Sequence, residues 1–412
     1  MSHPDDDVVC NTSSNPHFQD IIQSTLQSPS RRNLIRGGIG LAALSTVPFL
    51  AACGGGDDDG DAPALGFDSV GKSLLDNVVL PAGYTYQVLH ATGDRLDKKL
   101  TPYSNAGTET DDWSRRVGDH HDGMDIFYID RKGRYSSRET DRAVLCVNHE
   151  SSADAHFFHP RGQTTNGTDG KKFSQFGGWD LGVRPELEVL KEINHHGISV
   201  VELTKKGNKW GYQLDSRYNR RVTAQTPMKF GGPAPHLSNI RSFMVTAFDP
   251  TGATSRGTLN NCGHGKTPWG TYLGCEENWA AYFQMPKGSK PIDEKLSASR
   301  ARYGVVRTPI AEAATSAGTQ GWHTASSTDN RFTRWDVSAA GASAAEDFRN
   351  EPNTFGFIVE VDPLDPGATP VKRVAMGRFA HEAAVCSIPQ PGKQLAFYMG
   401  CDSRNEYIYK FV

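Results

Sequence analysis

Thr271-Tyr-Leu-Gly-Cys-Glu-Glu-Asn278 is an apolar, strand-like run that ends in a cysteine followed by acidic and amide side chains. Two other stretches share this pattern, Ala143-Val-Leu-Cys-Val-Asn-His-Glu150 and Ala396-Phe-Tyr-Met-Gly-Cys-Asp402. One acidic residue from each stretch falls at an interval of 126 residues: Glu150, Glu276 and Asp402. Recurring strand ends with polar side chains are typical of radial β architectures, where equivalent strands converge on one axial site. The pattern therefore predicts an all-β fold of the β-propeller type, with an open β-sandwich as the alternative.

Strand-like segments closed by turn residues occur along the rest of the chain. They are Asp125–Ile129, Ile198–Leu203, Phe243–Phe248 and Phe357–Val361. Apolar, β-branched runs that end at Asp-Pro or Lys-Gly turns are typical of hairpins. The 42 glycines and 23 prolines favour turns and short strands over long helices. We therefore expect a propeller with inserted loops and short helices, one of them over Pro185–Ile193.

The first 52 residues have the features of an export signal. Arg31-Arg32 precede an uncharged run from Gly37 to Ala52, which is shorter than the roughly 20 apolar residues of a membrane-spanning helix. The run ends in Leu50-Ala-Ala-Cys53, a lipobox. We expect a twin-arginine signal peptide over residues 1–52, lipidation at Cys53, an acidic and glycine-rich tether over 53–66, and a folded domain over 67–412. The alternative is an N-terminal hydrophobic helix of a cytoplasmic protein.

This interpretation predicts where the protein works and what it meets there. It would be an envelope lipoprotein facing the periplasm, anchored to the membrane by lipid and in contact with the twin-arginine translocase during export. The net charge of −3 gives no reason to expect a nucleic-acid partner. The mean hydropathy of −0.52 fits a chain without further membrane spans. We expect a monomer.

Five cysteines follow Cys53, so at least one of them has no partner within the chain. The twin-arginine route exports folded proteins, so a metal centre with a thiolate ligand could be loaded before export. Four polar clusters beside apolar strands supply candidate ligands: Asp119–Met124, Asn148–Glu150, Cys275–Asn278 and Arg378–Glu382. Carboxylates suit Ca²⁺, whereas imidazole and thiolate suit iron or zinc. Each cluster could also be an ordinary turn, a paired strand end or a surface pair.

Glu276 and Glu277 are harder to explain without a cation. Adjacent carboxylates repel, and a strand directs them to opposite faces, so at least one needs a metal or a basic side chain. A ligand role is therefore expected for Cys275 or Glu276. The motifs Gly-x-Ser-x-Gly, Walker A and Gly-x-Gly-x-x-Gly before a helix are absent. Hydrolysis would then depend on an oxygen nucleophile activated by metal rather than on a side-chain triad.

These motifs together resemble a known family. The matching segments are Leu80–Leu89, His121-Asp-Gly-Met124, Val147-Asn-His-Glu150, Tyr218–Thr223, Gly257–Cys262, Thr267–Asn278, Gly377–Glu382 and Glu406–Val412. In order and in content they are similar to the PhoX-type alkaline phosphatases. The resemblance implies a β-propeller that hydrolyses phosphate monoesters and scavenges phosphate in the cell envelope, with Ca²⁺ and Fe³⁺ as cofactors.

The resemblance also implies site residues. Cys275 matches the thiolate that holds iron, and Glu382 matches a carboxylate of the metal site. The other expected ligands are Glu276, Glu277, Asn148 and Glu150. Residues expected to contact substrate or to support the ligands are His381, Arg378, His149, Asp122 and Asn261.

The chain also departs from the family pattern. Family members continue past the segment Tyr407-Ile-Tyr-Lys-Phe411 and carry an Arg-Pro-Glu motif in that later part. The Arg184-Pro185-Glu186 of this chain lies in a different context, so the role is not transferred to it. We therefore expect a propeller that is incomplete at its C-terminus. The alternative functions are another calcium-dependent propeller hydrolase, such as a lactonase or phosphotriesterase, and an inactive lipid-anchored binding propeller.

Overall fold

The computed structural model describes residues 67–104, 106–151, 159–173, 178–233, 238–318, 320–326 and 328–412. The signal peptide, Cys53 and the tether expected from the sequence lie outside the described residues. The chain divides into two units, Met1–Tyr86 and Gln87–Val412. In the first unit, residues 67–86 are irregular, with bends and one turn, and largely exposed. The second unit contains the sheets and the candidate site.

The second unit is mostly β, as expected for an all-β protein. Seventeen strands lie in the described residues: β1 (His121–Ile129), β2 (Tyr135–Ser136), β3 (Arg142–His149), β4 (Gln163–Thr165), β5 (Thr168–Lys171), β6 (Gly197–Lys206), β7 (Lys209–Tyr212), β8 (Arg220–Val222), β9 (Pro227–Gly231), β10 (Thr254–Arg256), β11 (Asn261–Lys266), β12 (Tyr272–Glu276), β13 (Ile358–Val361), β14 (Val371–Arg373), β15 (His381–Cys386), β16 (Phe397–Cys401) and β17 (Ile408–Phe411).

Helices are few and short. They are α1 (Glu186–His195), α2 (Ser238–Arg241), α3 (Glu294–Arg302) and α4 (Asn330–Thr333), with 3₁₀ turns at Trp113–Arg115, Trp279–Tyr282, Trp322–Thr324, Glu351–Thr354 and Val374–Met376. The helix expected over 185–193 is confirmed as α1. None of the helices in the described part of the chain has the length and apolar character needed to span a membrane.

Three sheets carry the fold. Sheet 1 has the order β2-β1-β3-β6-β7, with β8 also paired to β6. Sheet 2 has the order β10-β9-β14-β13-β12-β11, and sheet 3 has the order β15-β16-β17. Neighbouring strands are antiparallel except for β9 and β14. Strands β4 and β5 form a separate hairpin.

Sheet 2 is covered by apolar side chains on both faces. One face packs against sheet 1, and this core includes Phe127, Val144, Tyr272 and Val359. The other face packs against sheet 3 through a second core, to which Leu273 of β12 belongs. Because successive strand residues point to opposite faces, Tyr272 and Leu273 enter different cores.

Glycines allow one strand from each of the three sheets to approach its neighbour closely. A Cβ atom added at Gly263 of β11 would lie 2.0 Å from the Glu382 carbonyl oxygen of β15, so only glycine fits there. A Cβ atom at Gly123 of β1 would lie 2.8 Å from the backbone of β11. Strand β11 therefore lies in close backbone contact with both β1 and β15, and we call these three strands the inner strands.

One expected strand is wrong. The segment 243–248 forms turns and isolated bridges instead of a strand. Its first amide groups continue the turn of α2, with Phe243 N donating to the Ile240 carbonyl. At its far end, the Asp249 carboxylate accepts hydrogen bonds from the backbone of Thr251 and Thr254. These local hydrogen bonds compete with strand pairing, and the apolar composition of the segment does not reveal them.

Candidate metal centre

Each inner strand begins with the same arrangement, which we call a corner. The first residue of the inner strand pairs with the last residue of the next strand in the sheet, and a register shift follows within three residues. The three pairs are His121 with His149, Asn261 with Glu276, and His381 with Cys401. A bulge of this kind redirects side chains locally and is common beside functional sites.

A backbone hydrogen bond closes each corner in the same way. The amide groups of three acidic residues donate to the carbonyl that precedes the inner strand: Glu150 to His120 (3.0 Å), Glu277 to Asn260 (3.0 Å), and Asp402 to Ala380 (3.1 Å). The structural counterpart of Glu150 in sheet 2 is therefore Glu277. The interval of 126 residues in the sequence pairs Glu150 with Glu276, so the sequence pattern is wrong by one residue in sheet 2.

The corners bring six side chains into one cluster, which we call the acidic cluster. The second residues of the inner strands contribute Asp122, Cys262 and Glu382, and the closing residues contribute Glu150, Glu277 and Asp402. The Cys262 thiol lies 3.2 Å from Asp122 Oδ2. Ligand atoms of Asp122, Glu150 and Cys262 all lie within 4.8 Å of one another, as required for binding one cation.

The pKa values show that these groups share one electrostatic environment. The pKa of Glu277 is raised to about 8 by burial, by a hydrogen bond with Asp402 and by the charge of Glu150. Burial and the charge of Asp122 raise the pKa of Glu150, with smaller effects from Glu382 and Asp402. Burial and the charges of Glu277, Asp122 and Glu150 raise the pKa of the Cys262 thiol.

The donor set fits metal ions. Among the described residues, no lysine or arginine forms an ion pair with Glu150, Glu277, Glu382 or Asp402. Carboxylates that repel one another are favourable places for a cation, because the ion removes the repulsion. Oxygen ligands suit Ca²⁺, and a thiolate suits a softer metal such as iron.

Cys275 does not lie with these side chains. It is fully buried in the apolar core between sheets 2 and 3, next to Leu273, Ile358 and Phe379. Burial and the charges of Glu276, Asp122 and Glu382 hold the pKa of its thiol well above the usual range. On β12 the Cys275 side chain faces sheet 3, so the thiol that the geometry brings to the carboxylates is Cys262.

Glu276 is also placed differently from the expectation. Its fully buried carboxylate accepts hydrogen bonds from Lys372 Nζ (2.8 Å) and from the amides of Gly356 (2.8 Å) and Phe357 (3.0 Å). Of the two adjacent glutamates, Glu276 thus obtains the basic partner and Glu277 joins the acidic cluster. The expectation that one of the two adjacent glutamates needs a metal or a basic side chain is correct for Glu276, whose partner is the basic side chain of Lys372.

The remaining expected residues support the corners. Asn148 Nδ2 donates to the carbonyls of Cys262 (2.6 Å) and Gly263 (2.9 Å), so it holds the start of β11, which carries the thiol. His149 Nε2 lies 2.6 Å from Ser199 Oγ, and Asn261 Nδ2 donates to Thr258 Oγ1.

Two further expected residues belong to sheet 3 and to the segment before it. His381 Nε2 lies 3.2 Å from the Gly377 carbonyl. Arg378 donates to the carbonyls of Phe355 and Pro352, and its guanidinium group stacks over Trp279 and Tyr303. Both side chains stabilise the backbone beside the cluster.

A second group of potential ligands, His159, Glu188 and Glu192, is already occupied by a cation of the chain itself. Arg184 Nη2 lies 2.6 Å from carboxylate oxygens of both Glu188 and Glu192. The guanidinium group is fully buried, and His159 lies against the same carboxylate of Glu192. Arg184-Pro185-Glu186 is therefore the start of a structural ion-pair network at α1.

The sequence interpretation missed three residues: Cys262, Asp402 and Asn260. In the sequence, Cys262 belongs to a segment that resembles the family and Asp402 to a repeat, and neither is predicted as a ligand. Asp122 and Cys262 each lie two residues after a residue in the left-handed conformation, His120 (φ 47°) and Asn260 (φ 50°). Asparagine adopts this conformation more readily than most residues.

Comparisons with known proteins agree with this picture. The model of the alkaline phosphatase PhoX family matches residues 65–412. Among solved structures, the chain is similar to Pseudomonas fluorescens PhoX in complex with vanadate, a transition state analogue, with 32% sequence identity and a TM-score of 0.65. The match covers 84% of this chain and 50% of that protein, so the chain spans about half its length. No curated protein matches the chain significantly.

Proposed function

The chain belongs to the alkaline phosphatase PhoX family, and from this premise we propose that it hydrolyses phosphate monoesters at a metal centre in the acidic cluster. The observation that supports the proposal is the convergence of Asp122, Glu150 and Cys262 with three further carboxylates on three equivalent corners. The solved relative binds vanadate, a transition state analogue, which fits a phosphoryl-transfer reaction.

We propose Ca²⁺ and Fe³⁺ as the cofactors. Cys262 would hold iron through its thiolate, and the carboxylates of Asp122, Glu150, Glu277, Glu382 and Asp402 would hold iron or calcium. When bound, such ions neutralise phosphate oxygens and make an attacking oxygen acidic. The thiol and Glu277 must release their protons to act as ligands, so metal affinity should fall as the pH is lowered.

The chain also offers space for the alcohol of the ester. A cleft of about 170 Å³ opens beside Glu277 and is lined by Tyr303, Phe379 and Ser403. Its aromatic walls can exclude water from one side of the cluster. We propose that the leaving group lies in this cleft while the phosphoryl group faces the carboxylates.

Two further expectations remain proposals. We propose a β-propeller arrangement, because sheet 2 packs between sheets 1 and 3 and the inner strands β1, β11 and β15 are neighbours. We also propose export to the cell envelope with a lipid at Cys53, on the evidence of the sequence motifs alone. A mass measurement of the membrane fraction would detect the lipid on Cys53.

The experiment is hydrolysis of p-nitrophenyl phosphate by the chain, with Ca²⁺ and Fe³⁺ and after treatment with a chelator. We expect metal-dependent hydrolysis that the chelator abolishes. Cys262→Ser should lower iron content and activity at least about 10- to 100-fold. The matched control is Cys275→Ser, which alters a thiol of the apolar core and should retain iron.

Two outcomes would contradict the proposal. Absence of hydrolysis by the metal-loaded chain would refute the activity for this polypeptide. Loss of iron in Cys275→Ser together with retention in Cys262→Ser would refute the ligand assignment. A calcium-only hydrolase would show activity without iron and no effect of either substitution.

A further inference from the structure

Asn260 occupies the junction between two corners of the acidic cluster. It is fully buried and immediately precedes β11. Its backbone carbonyl accepts the hydrogen bond from Glu277 N that closes the corner of sheet 2. Its φ of 50° lies in the left-handed region, which directs the carbonyl and the side chain to different neighbours.

The side chain reaches both sheets. Asn260 Nδ2 donates to the Glu150 carbonyl of the sheet 1 corner (3.0 Å) and to the Tyr282 hydroxyl (3.2 Å). Asn260 Oδ1 accepts from Asn278 N, the residue after Glu277, at 2.6 Å. Both amide hydrogens and one oxygen lone pair are thus used. The reversed amide orientation would place an NH₂ group against the Asn278 N–H, so the hydrogen bonds determine the orientation.

We propose that Asn260 is a positioning residue of the metal centre: it links the backbone of Glu150 to that of Glu277 and so sets the separation of their carboxylates. These two residues come from different sheets, and no strand pairing joins sheet 1 to sheet 2 in the described part of the chain. The Asn260 side chain joins the two corners directly, because Nδ2 donates to the Glu150 carbonyl and Oδ1 accepts from the amide that follows Glu277.

The inference rests on the proposed function only in treating the acidic cluster as a metal centre. Its test measures metal binding directly, so loss of phosphatase activity for another reason does not affect the outcome. The main variant is Asn260→Gly. Glycine retains the left-handed backbone and the carbonyl that Glu277 uses, and removes only the side-chain link.

The matched control is Asn166→Gly. Asn166 also has a left-handed φ of 49°, and its side-chain oxygen accepts one hydrogen bond from Val183 N, but it is exposed. Both exchanges therefore change an asparagine in the same backbone conformation. Only the exchange at position 260 alters the link between Glu150 and Glu277.

Chelator-stripped proteins are titrated with Ca²⁺ by calorimetry, and the iron-loaded proteins are examined for the thiolate-to-iron absorption band of Cys262. Asn260→Gly should weaken Ca²⁺ binding by about 10- to 100-fold and shift the absorption band, as supporting residues of metal sites commonly do. Asn166→Gly should bind Ca²⁺ like the unchanged protein. A merely structural role would lower the melting temperature of the stripped protein but leave Ca²⁺ affinity unchanged.

Unchanged Ca²⁺ affinity and an unchanged band in folded Asn260→Gly would overturn the proposal. If this variant does not fold, Tyr282→Phe replaces it. This exchange conserves volume and removes one acceptor of the Asn260 amide, so Ca²⁺ affinity should fall by a smaller factor. Equal affinity in Tyr282→Phe and in the unchanged protein would then overturn the proposal.

Discussion

Adjacent glutamates at the end of β12 are expected to respond in opposite ways to the same substitution. The Glu276 carboxylate is fully buried and pairs with Lys372 Nζ, which is itself fully buried. The Glu277 carboxyl lies in the acidic cluster, where its pKa is raised to about 8 by burial, by Asp402 and by Glu150. Glu276→Gln therefore removes an attraction, whereas Glu277→Gln removes a repulsion.

The magnitude for Glu276→Gln follows from the loss of a buried partner. The one amide oxygen of glutamine can serve either Lys372 or the Gly356 and Phe357 amides, so a buried donor loses its acceptor and the buried Lys372 loses its counter-charge. Breaking a buried ion pair from one side costs about 3–5 kcal/mol. The unfolding entropy is about 2.1 cal/mol/K per residue, so for the roughly 330 residues of the second unit a fall of about 4–7 °C in the melting temperature is expected. Ca²⁺ affinity should change little.

The magnitude for Glu277→Gln has the opposite sign in metal-free protein. A raised carboxyl pKa means that ionisation opposes folding at neutral pH, by about 1.4 kcal/mol per pKa unit. Partial access of solvent from the cleft reduces the full effect, so a gain of about 1–2 kcal/mol is expected. The same substitution removes a ligand oxygen and its charge, so Ca²⁺ binding should weaken by at least about 10-fold.

The assay is thermal unfolding of chelator-stripped protein with and without Ca²⁺, followed by circular dichroism. The double variant Glu276→Gln/Lys372→Met supplies the control, because it removes both buried charges and should recover much of the lost stability. The reasoning is refuted if Glu276→Gln leaves the melting temperature unchanged and abolishes the rise caused by Ca²⁺. That result would make Glu276 the ligand.

Two further predictions concern stability. The pKa values of the buried His195 and His196 are lowered to about 3 by desolvation, so the unfolded chain binds protons that the folded chain does not. The unfolding free energy of the chelator-stripped protein should therefore fall as the pH drops from about 6.5 to 4, by up to about 1.4 kcal/mol per pH unit for each histidine. Chemical denaturation measures this free energy at each pH, and a value that does not change with pH would refute the prediction. Arg184→Met should cost about 3–5 kcal/mol, because Glu188 and Glu192 lose their buried partner. Arg134→Met, at an exposed pair with Asp130, should leave the denaturation midpoint nearly unchanged, and equal effects of the two substitutions in denaturant titrations would refute the assignment of a buried network.

The sequence was sufficient to predict the strands whose neighbours cover both faces. The runs at 143–149, 198–203 and 358–361 are apolar and β-branched, and each is a strand in the structure. These residues enter cores between sheets, so composition and burial agree. The segment 243–248 has a similar composition, but the side chain of Asp249 organises the following backbone into a turn. Composition alone does not distinguish the two cases.

The candidate site could be predicted only in part. Repeating strand ends indicate the corners, and three of the candidates, Glu150, Glu277 and Glu382, lie together in the acidic cluster. The sequence favours Cys275 because it ends an apolar run and directly precedes Glu276, whereas Cys262 follows two asparagines and has no acidic neighbour along the chain. Which face a thiol occupies depends on register, and the register shifts between Asn261 and His264 in this sheet. A shift of one residue moves every side chain to the other face.

The corners explain how acidic groups that repel one another can be assembled before any cation arrives. Each closing residue is held by its backbone amide: Glu150, Glu277 and Asp402 donate to carbonyls rather than depending on their own side chains. The inner strands approach through glycine, so their contact also needs no side chain from the cluster. The apolar cores on both faces of sheet 2 supply the stabilisation. Folding and metal binding therefore depend on different groups of atoms, which is the condition under which a stripped but folded protein can bind metal again. In this respect the site differs from small metal-dependent domains, in which the metal itself drives folding.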